Sequence, residues 1–335
     1  MTRHPYPPAS FFGMPLGLLG LGLAWRAAIE LWHLPAIIAE LILAAGVMLW
    51  AVLTLLYAAK WLFAGTEARA EFEHAVQCCF VGLMPVNASL CAVAVLPHNR
   101  PAAIGLFLLG ALGTLAFALY RTGRLWMGGR DQGATTAVLY LPAVAGSFVT
   151  ATAASVLGWP EWGQLAFGAG LFSWLAIESV LLQRLYSGPE MPPALRPTLG
   201  IQLAPPAVGV LAYLNVGTGL PDLLAQALIG YALLQALLLL RLIPWIRVQP
   251  FGPSYWAFSF GAAALAGAVI RLASKGALVE TTLAPFIFAA ANLLIVALSL
   301  GTLRLLLSGK LLPVPVPASG TPAPLGASTP PQSGR

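Results

Sequence analysis

The sequence predicts an all-α integral membrane protein of ten transmembrane helices, paired as five helical hairpins, with bent odd-numbered helices forming an inner ring around a central pore. Three observations carry this expectation. Only 8% of the 335 residues are charged against 59% hydrophobic, with mean hydropathy +0.84. Ten windows are free of Asp, Glu, Lys and Arg, and two series of prolines alternate along the chain. Soluble domains carry about 25% charged residues, so a chain this long with so few cannot cover a water-facing surface. The same composition excludes a nucleic-acid-binding domain, a disulfide scaffold and a disordered chain.

The charge-free windows run from 4 to 25, 41 to 59, 74 to 99, 101 to 120, 132 to 160, 162 to 177, 197 to 221, 223 to 240, 248 to 270 and 281 to 303. A spanning helix needs about 20 residues, within a range of roughly 17 to 25. All but the sixth window meet that length, and the sixth is cut short only by Glu178. The first window lacks a small-residue cleavage site and reads as a span rather than a secretory signal.

Taken in order, window 1 holds Pro15 and Gly17, and window 2 follows Pro35. Window 3 holds Pro85 and window 4 opens at Pro101, while window 5 holds Pro142 and window 6 follows Pro160. Window 7 holds Pro205 and Pro206, and window 8, which follows Pro221, runs into the Leu-rich LLQALLLLRL (233–242). Window 9 has Gly261, in FSFG, where the other odd windows have proline, and Pro285 marks the start of window 10. A proline in the first turn of a helix costs little, whereas one inside a spanning helix kinks it and is tolerated where a neighbour or a cavity satisfies the freed carbonyl. Each hairpin therefore has a bent first helix suited to a pore wall and a straight second helix suited to lipid. Pro15, Gly17, Pro85, Pro142, Ser147, Pro205 and Gly261 are the expected pore-lining positions.

The charges that remain orient the chain. If both termini are cytoplasmic, 13 of the 17 Lys and Arg fall on the cytoplasmic side, and only Arg26, Arg100, Arg271 and Lys275 on the other. That is the bias the positive-inside rule demands, so the formal charge of +6 is first a topology signal. Residues 1–10 form a short cytoplasmic N-terminus, 11–310 the channel domain and 311–335 a Pro-rich cytoplasmic tail expected to be disordered.

Chemistry in the membrane needs ionisable groups at depth. His4, His33, His74 and His98 sit at span ends or in loops, and Cys78, Cys79 and Cys91 lack metal-ligand partners, so no enzyme, metal site or cofactor is expected. Uncharged dipoles at Asn87, Ser89, Ser147, Thr150, Thr152, Ser155 and Gln202 either line a water-filled path or bond their own helices. Glu178 is the one acid within a span, and is either a proton- or ion-coupling group or a structural acid paired with an arginine after span 4. A pore without buried Lys or Arg holds anions weakly, so it suits weakly hydrated monovalent anions.

The segments FFGMPLGLLGLGLAWR (11–26), RLWMGG (124–129), YLPAVAGSFVTATA (140–153), FGAGLFSWLAIESVLLQRL (167–185), LAPPAVGVLAYL (203–214), LLRLIPW (239–245) and WAFSFG (256–261) occur in the order seen in a known family. The chain resembles the bacterial tellurite-resistance and dicarboxylate transporters typified by TehA, which are related to the slow-type anion channels of plant guard cells. The resemblance implies a homotrimer in the bacterial inner membrane, with one pore per subunit, passing small inorganic or organic anions. It also implies an aromatic gate from the ninth helix, at Phe260, with Phe258 as the alternative. The expected function is an anion channel or channel-like transporter, the alternative a proton-coupled carrier for C4-dicarboxylates such as malate, or for tellurite. Ser179 departs from the proline that bacterial relatives tend to have after the sixth-helix glutamate.

Overall fold

The structure, a computed structural model, describes residues 6–129, 132–217 and 220–312; the rest of the Pro-rich tail lies outside the described residues. Among the described residues ten helical spans are long and apolar enough to cross a membrane: Ala9–Trp32, Ala36–Phe63, Gln77–Val95, Arg100–Trp126, Ala137–Val156, Pro160–Ser187, Pro193–Val216, Leu223–Ile246, Pro253–Ser274 and Leu278–Leu307, here spans 1 to 10. Among the described residues all regular structure is helical.

The two kinds of span differ in both continuity and burial. Each even span is a single α-helix of 24 to 30 residues. Each odd span is broken. The 3-10 turn Ala9–Phe12 leads into the α-helix Gly13–Trp32, and the short helix Gln77–Val81 into Leu83–Val95. A π-helical turn, Leu141–Ala145, precedes Gly146–Val156. The 3-10 segments Pro193–Leu203 and Pro253–Phe258 lead into Ala204–Val216 and Ser259–Ser274. Between 61% and 78% of the most apolar stretch of each odd span is buried, against 22% to 33% for each even one.

The breaks explain the prolines more closely than simple kinking does. Pro15, Pro85 and Pro206 each stand third in the α-helix that follows a break. There the N–H that proline lacks would have no intrahelical partner. Gly261 holds the same third position in Ser259–Ser274, so span 9 keeps the pattern in position although not in residue type. In the even series, Pro35 is the N-cap of span 2, and Pro101 and Pro160 lie in the first turn of spans 4 and 6. Pro285 departs from expectation: span 10 begins at Leu278, seven residues earlier, so this proline lies inside the helix. The charge-free window began late because Glu280, in the first turn, is buried rather than in a loop.

Contacts close a ring. Span 1 packs on span 3, 3 on 5, 5 on 7, 7 on 9 and 9 on 1, and each odd span also packs on the even span that follows it. Large side chains such as Leu41, Met48, Leu55 and Leu62 of span 2 and Leu112 and Leu119 of span 4 are exposed on the outer face, as lipid-facing helices require. Small residues let the layers approach. A Cβ added to Gly110 of span 4 would lie 2.3 Å from Ser89 Oγ of span 3. Some charges at the span ends are paired: Arg26 with Glu40 at 2.9 Å, and Lys60 with Glu71 at 2.6 Å. Glu71, on the connecting helix Gly65–Glu73, also accepts the Ala9 amide at 2.6 Å and so ties down the start of span 1.

Candidate functional site

Two cavities lie inside the ring, with empty volumes of about 650 Å³ and 570 Å³. All five odd spans contribute to each wall and no even span contributes to either. The first cavity is bounded by the residues around the breaks, among them Gly13, Leu83, Val144, Pro205 and Ala257. The second is bounded by the later turns of the same helices, among them Leu23, Leu90, Thr152, Asn215 and Gly267. Only one crossing separates successive odd spans, so all five run in the same direction, and the two cavities occupy opposite halves of the membrane.

Phe260 and Val208 line both cavities. Phe260 is 7% exposed and stands second in the α-helix that follows the break in span 9. Its backbone is held from behind. Ser259 Oγ donates to the Trp256 carbonyl at 2.7 Å, and Trp256 Nε1 donates to Thr302 Oγ1 of span 10 at 2.8 Å. Phe258 faces elsewhere: a Cβ at Gly200 of span 7 would lie 2.6 Å from its ring, which stacks on Tyr255 at 6.4 Å between centroids.

The walls are almost without charge. Among the described residues no Asp or Glu lines either cavity, and the polar side chains of the first are Ser10, Tyr140, Ser254 and the indole of Trp256. In the second, Thr152 and Asn215 bond carbonyls of their own helices, Phe148 at 3.1 Å and Leu211 at 2.6 Å, and Arg271 supplies one guanidinium. The sequence reading placed Arg271 in a loop beyond span 9. It lies instead in the last turn of that span and faces the cavity, so the expectation of walls free of Lys and Arg is corrected at this residue.

The other expected lining residues are dispersed. Pro205 borders the first cavity. Gly17 faces span 9, where an added Cβ would meet Ser259 Oγ at 2.2 Å, and Gly261 faces span 7, where one would lie 2.9 Å from Leu203 Cβ. Pro85 packs behind the ring, its Cβ 2.9 Å from where a Cβ would sit on Gly113, and Ser147 packs toward Gly170 of span 6 at 3.1 Å. Pro15 and Pro142 are buried outside both walls. Most wall residues escaped the sequence reading, Val208 and Tyr140 among them. Val208 resembles any other apolar helix residue, and Tyr140 gives no periodic signal.

Glu178 is 8% exposed and sits behind the wall. Oε2 accepts from the Tyr140 hydroxyl and from Trp174 Nε1 at 3.0 Å; Oε1 accepts from the Tyr231 hydroxyl at 2.5 Å and Gln235 Nε2 at 3.5 Å. Among the described residues no arginine pairs with Glu178: Arg121 reaches the Ala75 carbonyl and Arg124 the Tyr120 hydroxyl, while Arg130, the third arginine after span 4, lies outside the described residues. Neutral donors satisfy a buried carboxylate without the cost of desolvating a second charge. Tyr140 also borders the first cavity, so the carboxylate bonds the pore wall to spans 6 and 8 without itself lining the wall.

Two cavities walled by inner helices alone and nearly free of charge are what the fold presents, and the sequence that builds them has relatives among known proteins. Residues 6–303 match the family model for voltage-dependent anion channels. The chain is 36% identical over 308 residues to the tellurite resistance protein TehA homolog of Haemophilus influenzae, covering 91% of this chain and 93% of that one. It is 24% identical to the S-type anion channel SLAH2 of Arabidopsis thaliana, covering 88% of this chain and 58% of that protein. It is also 24% identical to the guard cell S-type anion channel SLAC1 of the same plant, covering 79% and 50%. The match extends from the start of span 1 almost to the end of span 10 and so includes every wall segment of both cavities; the chain belongs to the voltage-dependent anion channel family.

Proposed function

We propose that this protein is an anion channel, or channel-like transporter, that passes small monovalent anions through the two cavities and is closed where Phe260 stands between them. The observation that carries the reading is the joint lining of both cavities by Phe260 and Val208, on walls that contain no Asp or Glu. An ion in an apolar medium loses most of its hydration energy, which makes an apolar ring at a constriction an effective barrier. The wider cavities on either side keep that barrier short. Rotation or removal of the ring joins them into one path. Weakly hydrated anions give up the least on crossing, and the scarcity of fixed positive charge lets them leave again.

The cytoplasmic bias of Lys and Arg supports a subunit with both termini cytoplasmic, and we place it in the bacterial inner membrane as the homotrimer that the family resemblance of its segments implies. Glu178 is assigned as a structural acid, because its two oxygens accept from four donors and neither cavity includes it. Purified protein in planar bilayers tests the whole reading. Uncoupled anion current that follows the anion gradient is expected. Flux that requires a proton gradient and saturates at low malate would favour a coupled dicarboxylate carrier instead.

A further inference from the structure

We infer that Arg271 and Asn215 form an anion-recognition site in the second cavity, on the side of the membrane opposite the termini, and that this site ranks anions before they reach Phe260. The inference rests on the channel reading above and adds to it where selection occurs.

Arg271 lies 11 residues after Phe260 on the same helix, or about 16 Å along its axis. Its side chain lines the second cavity. Three buried or half-buried cations meet carboxylates: Arg26 meets Glu40, Lys60 meets Glu71 and Arg196 meets Glu190. Arg184, also buried, reaches the Pro189 carbonyl instead and borders neither cavity. Arg271 differs from all four in lining a cavity without a carboxylate partner. Its hydrogen-bond partner is neutral, with Nη1 donating to Asn215 Oδ1 at 3.0 Å, and it makes no ion pair among the described residues. Glu30, at the end of span 1, acts on it only through space.

Asn215 is itself fixed, because its Nδ2 donates to the Leu211 carbonyl at 2.6 Å, which leaves Oδ1 aimed at the guanidinium. The arginine is thus held in place by a group that does not cancel its charge. A guanidinium carries five N–H donors in a planar fork, and only one of them is engaged by Asn215. The free edge suits two oxygens of one planar oxyanion better than it suits a spherical halide. A single cation without an ion-pair partner, in a cavity that no acid lines among the described residues, raises the local anion concentration, and with one fixed site it does so without trapping the ion. The ligand class is therefore a small monovalent oxyanion, nitrate being the simplest probe.

Two measurements test the site. In bilayers, the nitrate-to-chloride permeability ratio is read from reversal potentials for wild type, Arg271→Gln, Arg271→Lys and Asn215→Asp. Arg271→Gln should lower the ratio several-fold. Arg271→Lys should keep chloride current while losing the nitrate preference, because an ammonium lacks the fork. Asn215→Asp, which keeps the arginine but cancels its charge, should depress anion current at low salt as Arg271→Gln does. A ratio unchanged in all three conducting variants overturns the inference while leaving the channel reading intact. In detergent, nitrate at tens of millimolar should raise the thermal unfolding temperature of wild type more than that of Arg271→Gln. This readout does not depend on conduction, so absence of wild-type current sinks the channel reading alone, whereas equal nitrate shifts in the two proteins sink the Arg271 site.

Discussion

The Phe260 ring rests on Gly20: a Cβ added to that glycine would stand 2.9 Å from Phe260 Cδ2 and 3.3 Å from Cε2. Span 1 thus provides the bare backbone against which the span 9 aromatic lies. Gly20→Ala should crowd the ring toward span 7 and lower the basal current several-fold. The same substitution made with Phe260→Ala should have little further effect. Bilayer current in the double-mutant cycle checks this, and additive effects would mean that the two residues do not act together.

Phe260→Ala should raise anion conductance by roughly an order of magnitude or more, because it removes the one side chain that stands between the cavities on the span 9 side. The ring borders empty space on two faces, so its loss should cost less stability than the ~3–5 kcal/mol typical of a Phe→Ala change in a packed core. Single-channel recording checks the conductance and size-exclusion chromatography the assembly. Unchanged current in a well-folded variant would remove Phe260 from gating.

Glu178→Gln keeps the shape of the side chain but loses its charge and forces an amide against donors from Tyr140, Trp174 and Tyr231. Hydrogen bonds to charged groups contribute about 1.5–3 kcal/mol each, so a loss of about 2 kcal/mol is expected, read as a lower unfolding temperature in detergent. Ion selectivity should not move. Transport that lost its pH dependence in this variant would instead make Glu178 a coupling group.

Asp222 caps span 8 by accepting the Ala225 amide at 2.9 Å, and it also accepts the Tyr213 hydroxyl. The amide first, and then the hydroxyl, hold its carboxyl below the usual carboxylate range. Asp222→Ala should cost about 1 kcal/mol at neutral pH, as loss of an N-cap does. A depressed folded-state pKa contributes stability above the unfolded value and loses it as pH falls through the folded one. The gap between wild type and Asp222→Ala should therefore close in strong acid, which unfolding scans from neutral pH downward would show.

Much of this architecture was legible in the sequence, because a membrane forces it into one dimension. The ten windows follow from the cost of charge in lipid, and the alternation of Pro15, Pro85, Pro142 and Pro205 with the even-span prolines foretold which helices are broken. What escaped depends on partners distant in the chain. Nothing local tells that Gly17 meets Ser259, or that Tyr140 and Tyr231 converge on Glu178. Arg271 was misplaced because a charge at the edge of an apolar window looks the same whether it turns out to water or inward to a cavity. Pro253, which opens the 3-10 segment of span 9, lay outside the proline series and left the break beneath Phe260 unmarked.

The division between largely buried odd spans and largely exposed even spans also has a mechanical side. Span 2, with 28 residues, and span 10, with 30, are about 42 and 45 Å long, well beyond the ~30 Å of hydrocarbon in a bilayer. Tilt and adjustment to membrane thickness fall on this outer palisade, which touches the lipid. The five broken helices within are shielded from lateral strain, so the bore they enclose keeps its dimensions as the surrounding bilayer thins or thickens.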